Sequence, residues 1–311
     1  MNLAILSPIW PEAVARLKDR HVCREVFNVE PVELCRALAA VEAVVVRSGV
    51  RLDRPTLKAA PRLRLIVRAG TGLDGIDQAC AREQGIHVVV LPLSATAVAE
   101  HTFALLLGLA RKVTWLDRQL RAGHWEKHAG LGCELGGKSL GLLGFGRIGQ
   151  RTAELAHAFR MTVLTHDRSP DLPEKQRAAQ MLGVRFVGLA ELFETADTLA
   201  IQVPLNEQTR GLVGADLLGR MRPGALLVNI GRGQVVDEDA LYDLLREGRL
   251  GGAALDVFAH EPAGDCPLLQ LDNFIGTPHV GAQTLESQRE IGEAVVRAIE
   301  EFSEREGKGH S

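Results

Sequence analysis

Three polar residues in the second half of the chain, Arg232, Glu261 and His279, are of the types that carry a proton to an oxygen while an acid is held in place. Arginine presents paired N–H donors in a plane that matches a carboxylate and its neighbouring carbonyl. Histidine changes charge near neutral pH and is the natural proton donor to a carbinol oxygen. A carboxylate beside it stabilises the imidazolium, raises its pKa and fixes its tautomer. Glu261 supplies that carboxylate, and on chemistry alone Asp256 could do so instead. Taken singly, each of the three reads as a surface loop residue. They gain meaning because each sits at or after the end of a short apolar run, where open α/β sheets bind ligands.

The elements that must position them are organised around residues 138–167. Residues 139–143 are an apolar run that suits a buried strand, and Gly144-Phe145-Gly146-Arg147-Ile148-Gly149 follows at once. Residues 147–159 then show helical spacing through Ile148, Leu155, Ala156 and Phe159, and a second apolar run over 161–164 leads to Asp167. This strand–turn–helix–strand order is the context that makes G-x-G-x-x-G a dinucleotide fingerprint. The first glycine permits the tight turn, the second lets the backbone approach a pyrophosphate, and the third lets helix and strand pack closely. The helix N-terminus adds orphan N–H donors and the positive end of its dipole. Asp167 lies 18 residues past Gly149, near the ~20 expected of the acid that holds an adenosine ribose. Its carboxylate repels a 2′-phosphate and so argues for NAD over NADP, while Arg168 beside it argues the other way. The plainer reading, a glycine-rich turn with Asp167 capping a loop, does not account for the strand, the helix and the acid together. Arg232, Glu261 and His279 all fall where the nicotinamide end of such a cofactor would lie.

Bulk properties set the limits. At 311 residues the chain is expected to form two domains. With 46% apolar and 24% charged residues it has ordinary globular composition. A net charge of −3, 4% aromatics and a single tyrosine, Tyr242, give no basic face or stacking platform for nucleic acid. Five scattered cysteines without a C-x-x-C suggest neither a disulfide framework nor a zinc site, and fit a reducing cytoplasm. No metal is expected. The first ten residues lack a basic n-region, so no signal peptide is read there. The longest apolar stretches, such as 103–110, are too short to cross a bilayer.

In the first third, strand-like runs at 3–6, 22–27, 43–46, 65–67 and 87–90 alternate with helical segments at 11–18, 31–39, 54–60 and 76–83. Continuous Val/Ile/Leu runs bounded by Pro and Gly suit a parallel sheet covered on both faces, a flavodoxin-like arrangement. Two loops lie at strand ends: Arg47-Ser48-Gly49, and residues 68–75, where Ala69, Gly70, Thr71 and Gly72 could form an anion nest of backbone N–H groups. Position alone favours a plain strand–helix connection, with Thr71 or Asp74 capping the helix near Ile76. One long helix is expected over about 97–120, crossing into the second domain; Glu100 and His101 within it could be functional, but spacing alone favours an exposed pair or a helix-packing polar contact. After the fingerprint, a polar helix over 170–182, a strand at 184–187, a short helix at 189–194 and a strand at 198–203 are expected. A strand at 225–230, a helix at 237–246, strands at 253–257 and 274–275, and a last helix at 285–302 follow, with a mobile charged tail over 304–311. No internal repeat is visible.

These motifs together resemble the D-isomer-specific 2-hydroxyacid dehydrogenase family. The resemblance rests on Val98-Ala99-Glu100-His101, the fingerprint, Val228-Asn229-Ile230-Gly231-Arg232-Gly233, Leu255-Asp256-Val257-Phe258 with Glu261-Pro262, Thr277-Pro278-His279-Val280-Gly281, and the loop from Arg68 to Asp74. It covers nearly the whole chain, and the motifs are far more specific in order than singly. It implies a Rossmann-type doubly wound NAD-binding domain, residues 97–283, inserted into a flavodoxin-like substrate domain made of 1–96 and 284–311. It implies NAD as cofactor, a small 2-hydroxy or 2-keto acid as substrate and a homodimer joined mainly through the cofactor domains; from composition, no nucleic-acid or membrane partner is expected. By motif position His279 would be the acid/base, Glu261 its partner and Arg232 the substrate clamp. Gly144, Phe145, Gly146, Arg147, Ile148, Gly149 and Asp167 would hold the cofactor, with Val203, Pro204, Thr209, Ile230, Gly231, Arg232, Asp256, His279 and Gly281 lining the rest of its site. Asp256 would meet the nicotinamide carboxamide, and the backbone of Ala69, Gly70, Thr71 and Gly72 the substrate carboxylate. The segments 93–96 and 282–285 would hinge a cleft that closes over the transferring hydride.

The chain departs from the family pattern near the substrate. It has Asp74-Gly75-Ile76-Asp77 where Asp-Asn-Ile-Asp is usual, and Ser94 and Ala97 where many members have Asn and Ser. The lysine of phosphite dehydrogenases is absent from 69–71, which counts against phosphite. Arg47-Ser48 resembles the phosphoglycerate dehydrogenase branch, whose arginine meets a substrate phosphate; hydroxypyruvate and glyoxylate reductases share most of the same motifs. No regulatory domain is expected after the last helix. A reading of another class is an NAD-sensing binding protein, since transcriptional co-repressors called C-terminal binding proteins resemble this family and keep its catalytic motif. Those carry longer disordered tails, and the near absence of tails here favours the enzyme.

Overall fold

Short Val/Ile/Leu runs alternating with amphipathic segments build two parallel sheets, each covered by helices on both faces. The computed structural model describes residues 1–308, with side chains through Arg305. The chain divides into two units: Met1–Ser94 with the segment from Gln283 onward, and Ala95–Ala282 between them.

The first unit opens with β1 (Asn2–Ile5), α1 (Pro11–Arg20), β2 (Val22–Glu25), α2 (Pro31–Leu38) and β3 (Ala43–Val46). It continues with α3 (Arg54–Lys58), β4 (Leu65–Arg68), α4 (Gln78–Glu83) and β5 (His87–Val90). The strand order is β2-β1-β3-β4-β5, all parallel, which is the flavodoxin-like order. β3 and β4 are buried along their whole length. Strand β2 ends at Glu25, short of the expected Phe27, because it is an edge strand with three of its four residues outside the core.

The second unit starts with α5 (Ala95–Ala110) and α6 (Val113–Arg121). The expected single helix over 97–120 is therefore two. The Ala110 carbonyl accepts from the Cys133 amide at 2.8 Å, and Lys112 turns the chain with φ +53°. Apolar spacing runs on through Val113, Leu116 and Leu120, so periodicity alone could not reveal the break. There follow β6 (Ser139–Leu143), α7 (Arg147–Ala158), β7 (Thr162–His166), α8 (Pro173–Met181), β8 (Arg185–Phe186), α9 (Leu189–Thr195) and β9 (Thr198–Ile201). The unit closes with α10 (Ala215–Arg220), β10 (Leu226–Asn229), α11 (Glu238–Arg246), β11 (Gly252–Leu255) and β12 (Phe274–Gly276). Its sheet runs β12-β11-β10-β9-β6-β7-β8, wholly parallel, with the order reversing at the β6/β9 pair. This is the Rossmann arrangement, and the reversal is where a doubly wound sheet opens a crevice at its strand C-termini. One core layer, around Phe193, Leu227 and Leu241, lies on one face of the sheet. The other, around Phe103, Leu142 and Phe145, lies on the opposite face.

The last helix, α12 (Leu285–Lys308), returns to the first unit. Its Ile291, Val295, Val296 and Ile299 share a core with Leu3, Ile5, Leu17, Val45 and Val67. The expected mobile tail from Glu304 is thus helical through Lys308, since its charged residues are good helix formers; residues 309–311 lie outside the described part. Among the described residues no helix is long and apolar enough to cross a membrane, and the five cysteines are free.

Candidate active site

The fingerprint turn follows β6 at the β6/β9 crevice. Gly144 has φ +105°, and a Cβ on Gly149 would lie 2.4 Å from the Gly144 carbonyl oxygen. The first and third glycines are therefore demanded by the fold. A Cβ on Gly146 would meet nothing within 4 Å, so the second glycine borders open space. Gly146 is the N-cap of α7 and offers no side-chain cap, leaving the helix's first amides without intrahelical partners at the positive end of the dipole. A glycine-bordered opening beside uncapped amides fits a dinucleotide pyrophosphate. Phe145 turns its ring into the core, edge-on to Phe186 at 5.5 Å, so only its backbone borders the turn. Gly146 and Arg147 are exposed and Ile148 is half-buried.

Asp167 follows β7 beside this turn. Its Oδ2 accepts from the Phe145 amide at 2.9 Å, and its Oδ1 accepts from the Ser169 amide at 2.8 Å and Lys175 Nζ at 2.5 Å. Burial pushes its carboxyl up, but the Lys175 ammonium and the two amides outweigh burial and hold it below the usual carboxylate range. After β9, Val203 and Pro204 begin a loop that Thr209 closes. The Thr209 hydroxyl donates to the Pro204 carbonyl at 2.6 Å and accepts from the Asn206 amide at 2.9 Å. Arg168 reaches the same loop, donating to Gln208 Oε1 at 3.0 Å.

The turn after β10 is set by the fully buried Asn229. Its Oδ1 accepts from the Gly231 amide at 3.0 Å, and its Nδ2 donates to the Arg232 carbonyl at 3.0 Å. Ile230, Gly231 and Arg232 are thereby fixed in one turn. A Cβ on Gly233 would lie 1.9 Å from the Phe258 carbonyl carbon, so this turn packs backbone to backbone against the loop that carries Glu261. His279 Nδ1 lies 2.9 Å from Glu261 Oε2, while Glu261 Oε1 accepts from the Phe258 amide at 3.2 Å. Burial pushes the Glu261 carboxyl up. The bond from His279, the positive charges of His279 and Arg232, and the Phe258 amide together hold it below its usual range. The Arg232, Glu261 and His279 loops thus meet at the strand C-termini.

Of the two carboxylates that chemistry left open as the histidine's partner, Glu261 touches the ring and Asp256 holds the backbone around it. Asp256 is 2% exposed. Its Oδ1 accepts from Thr277 Oγ1 at 2.6 Å and the Val280 amide at 2.8 Å, and its Oδ2 from the Gly281 amide at 2.8 Å. His101 Nε2, on α5, stands 3.3 Å from Asp256 Oδ1 and 3.1 Å from Thr277 Oγ1. The Asp256 carbonyl accepts from the His279 amide at 2.8 Å, and His279 has φ +54°. Burial opposes ionisation of Asp256, yet the bonds from His101, Thr277 and the two amides keep its carboxyl below the usual range.

The first unit carries the two anion-loop candidates. Arg47 follows β3; its Nη1 donates to Gln288 Oε1 at 2.5 Å and to the Pro8 carbonyl at 3.4 Å, both neutral oxygens. Burial holds its guanidinium below the ordinary arginine value. It borders a cavity of about 280 Å³ with Ser7, Pro8, Trp10, Ser48 and Gln288. In the 68–75 loop, buried Arg68 donates from Nε to the Gly72 carbonyl at 2.6 Å and so shapes the turn from inside. The nest reading is corrected at two positions. The Ala69 amide bonds the Val46 carbonyl and the Gly70 amide the Arg68 carbonyl, each at 2.9 Å, so neither is free to serve an anion nest.

Sequence reasoning did not single out Lys175, took Asn229 and Arg68 only as members of longer motifs, and weighed a functional role for His101 against an exposed or helix-packing polar pair with Glu100. Lys175 had a signal: it is a cation in the first turn of α8, where the helix dipole disfavours positive charge. Asn229 and Arg68 bond within their own loops, to Gly231, Arg232 and Gly72, but neither residue type marks such a turn by itself, so only the folded loop discloses the role. Among the described residues no group of three or more His, Cys, Asp or Glu side chains is placed to hold a metal ion.

A doubly wound parallel sheet with this fingerprint at its order reversal defines a Rossmann-type dinucleotide-binding architecture. The family model for the NAD-binding domain of the D-isomer specific 2-hydroxyacid dehydrogenases matches residues 103–281. The D-3-phosphoglycerate dehydrogenase of Methanocaldococcus jannaschii is 38% identical over 301 residues, covering 96% of this chain and 57% of that protein. The hydroxypyruvate reductase of Thermotoga maritima is 41% identical over 276 residues, 88% of each. Among solved structures, the D-lactate dehydrogenase of Aquifex aeolicus, complexed with NAD and lactic acid, superposes with a TM-score of 0.86 at 29% identity, over 99% of this chain and 97% of that one. The chain belongs to the D-isomer specific 2-hydroxyacid dehydrogenase family. It spans about half the length of the phosphoglycerate dehydrogenases it matches.

Proposed function

We propose that this protein transfers a hydride between NAD and C2 of a small D-2-hydroxy acid or 2-keto acid. The observation that carries the reading is the 2.9 Å contact of His279 Nδ1 with Glu261 Oε2, beside the Arg232 turn in the unit that bears the fingerprint. When bound, NADH supplies the hydride to the C2 carbon. Glu261 holds the proton on Nδ1, which leaves His279 Nε2 to protonate the C2 oxygen. Arg232 orients the carbonyl and carboxylate through its paired donors. In the oxidation direction His279 Nε2 takes the hydroxyl proton instead. The cofactor contacts assigned to 144–149, Asp167, Val203, Pro204, Thr209, Ile230, Gly231, Asp256 and Gly281 belong to this same proposal. Five free cysteines support a reducing cytoplasm as its compartment.

For the substrate we favour a phosphorylated 2-hydroxy acid of the phosphoglycerate type. The half-buried Arg47, bonded to neutral oxygens at the rim of a cavity, suits an anion, with Ser48 beside it. NADH oxidation with 3-phosphohydroxypyruvate, hydroxypyruvate, glyoxylate, pyruvate and oxaloacetate tests this. The phosphorylated acid is expected to be preferred, and Arg47→Ala to raise its KM by about 10–100-fold, the worth of a charge-assisted phosphate contact, with hydroxypyruvate little changed. The second reading is a hydroxypyruvate or glyoxylate reductase, favoured by the relative matched over 88% of both chains. Equal KM changes for both acids in Arg47→Ala would select it. Silence on every acid, with NADH bound, would move the weight to an NAD-sensing binding protein.

A homodimer formed through the second unit completes the proposal. Its support is an apolar surface on one stretch of that unit, with Trp125 81% and Leu131 82% exposed and Val113 and Leu120 also outside the core. Light scattering is expected to give the mass of two chains. The double substitution Trp125→Ser, Leu131→Ser should shift it toward one, and an unchanged mass would remove this surface from the interface.

A further inference from the structure

The carboxylate expected to grip the adenosine ribose is already engaged. Asp167 Oδ1 takes two donors, Lys175 Nζ at 2.5 Å and the Ser169 amide at 2.8 Å, and Oδ2 takes the Phe145 amide at 2.9 Å. A carboxylate offers about four lone-pair positions, so three donors leave room for about one more, whereas a ribose diol presents two hydroxyls. The ion pair is well shielded, with the Asp167 side chain 10% and the Lys175 side chain 19% exposed. Lys175 holds this place against its own helix: it stands in the first turn of the nine-residue α8, its amide bonded to the Leu172 carbonyl. The dipole there disfavours a cation, and the contact with Asp167 offsets that cost. A second cation flanks the same carboxylate in sequence, the exposed Arg168, whose guanidinium reaches Gln208 across the crevice rim.

We infer that the ribose end of this site accepts a 2′-phosphate as well as a 2′-hydroxyl, and that Lys175 is the residue that sets the balance. The inference rests on the reading of the fingerprint as a dinucleotide site. A bare aspartate rejects NADP because its charge faces the 2′-phosphate at close range. Here that charge is paired at contact distance, and the ammonium and the Arg168 guanidinium provide donors for phosphate oxygens. Removing Lys175 frees the carboxylate, and the effects on the two cofactors should then run in opposite directions. The diol of NADH gains an acceptor, while the 2′-phosphate of NADPH loses a cation and meets an unpaired negative charge.

Calorimetric titration of the full chain with NADH and with NADPH, without substrate, reads this directly. In the unsubstituted protein the two dissociation constants are expected to agree within about tenfold. Lys175→Met should weaken NADPH by more than about tenfold and leave NADH unchanged or tighter. Lys175→Arg, which keeps the charge, should retain NADPH, and Arg168→Ala should weaken NADPH by a few-fold only, because its side chain is exposed. NADPH binding more than about a hundredfold weaker than NADH in the unsubstituted protein would overturn the inference and leave the NAD reading intact. Equal weakening of both cofactors by Lys175→Met would do the same. Failure of both dinucleotides to bind would overturn the dinucleotide reading and the inference with it.

Discussion

Replacing His279 with alanine should lower kcat/KM for keto-acid reduction by about 10²–10⁴-fold, the range for loss of a general acid, while NADH binds as before. The imidazole is held at Nδ1 by Glu261, so its other nitrogen is the one left to exchange a proton with the substrate oxygen. The cofactor turn 144–149 belongs to a different strand connection and does not depend on the His279 ring. Glu261→Gln should have a smaller effect on rate and a distinct effect on pH dependence. The Glu261 carboxyl is held below its usual value, so its ionised form persists below the ordinary glutamate range near ~4.3. A carboxyl lowered by folding contributes stability that is present above its unfolded value and lost as the pH falls through its folded value. The acid limb of the profile due to this carboxylate should therefore lie below that range in the native protein and be absent in Glu261→Gln. Full activity in His279→Ala would remove the histidine from proton transfer. An identical acid limb in Glu261→Gln would remove the glutamate from its partnership.

Asp256→Ala should be the most damaging single substitution for the second unit. It strips partners from the Val280 and Gly281 amides, the Thr277 hydroxyl and His101 together. Leaving buried donors without acceptors costs about 1–3 kcal/mol for each group that water cannot reach. With partial rescue by solvent we expect about 3 kcal/mol, or roughly 6–12 °C in melting temperature for a unit of this size. Activity should fall even at temperatures where the unit stays folded, because the same loop carries His279 in a left-handed conformation that the surroundings must enforce. Asp256→Asn retains one acceptor oxygen and should fall between. A variant that melts with the native protein and turns over normally would show that the loop is held by other contacts.

The contrast between these groups explains what the sequence could and could not disclose. The fingerprint was legible because a tight turn, a helix start and a buried strand are specified within a few adjacent residues. Arg232, Glu261 and His279 were legible as chemical types at strand ends. Their contact is a product of sheet order, because parallel crossovers bring together the ends of β10, β11 and β12, separated by dozens of residues. The division of labour between Asp256 and Glu261 was invisible for the same reason, since it depends on which loop turns inward. The α5/α6 break escaped because its cause, the Cys133 amide at the Ala110 carbonyl, comes from more than twenty residues downstream while the apolar period continues unbroken. Helix α10 went unread because six residues containing Gly219 offer too short a period. Lys175 was hidden by an expectation that the acid it neutralises would be free for a ligand.

The return of α12 to the first unit reverses the order in which the two units can mature during synthesis. Ile291, Val295, Val296 and Ile299 close one face of a sheet whose strands were made some two hundred residues earlier. Until they emerge from the ribosome, that face lacks four side chains, each worth about 1.5–3 kcal/mol on burial. The second unit draws on residues 95–282 alone and has its whole core outside the ribosome before α12 emerges. The unit made first is thus the one finished last. A released chain truncated after residue 284 should therefore show a protease-resistant second unit and a protease-sensitive first unit whose sheet lacks the α12 side chains.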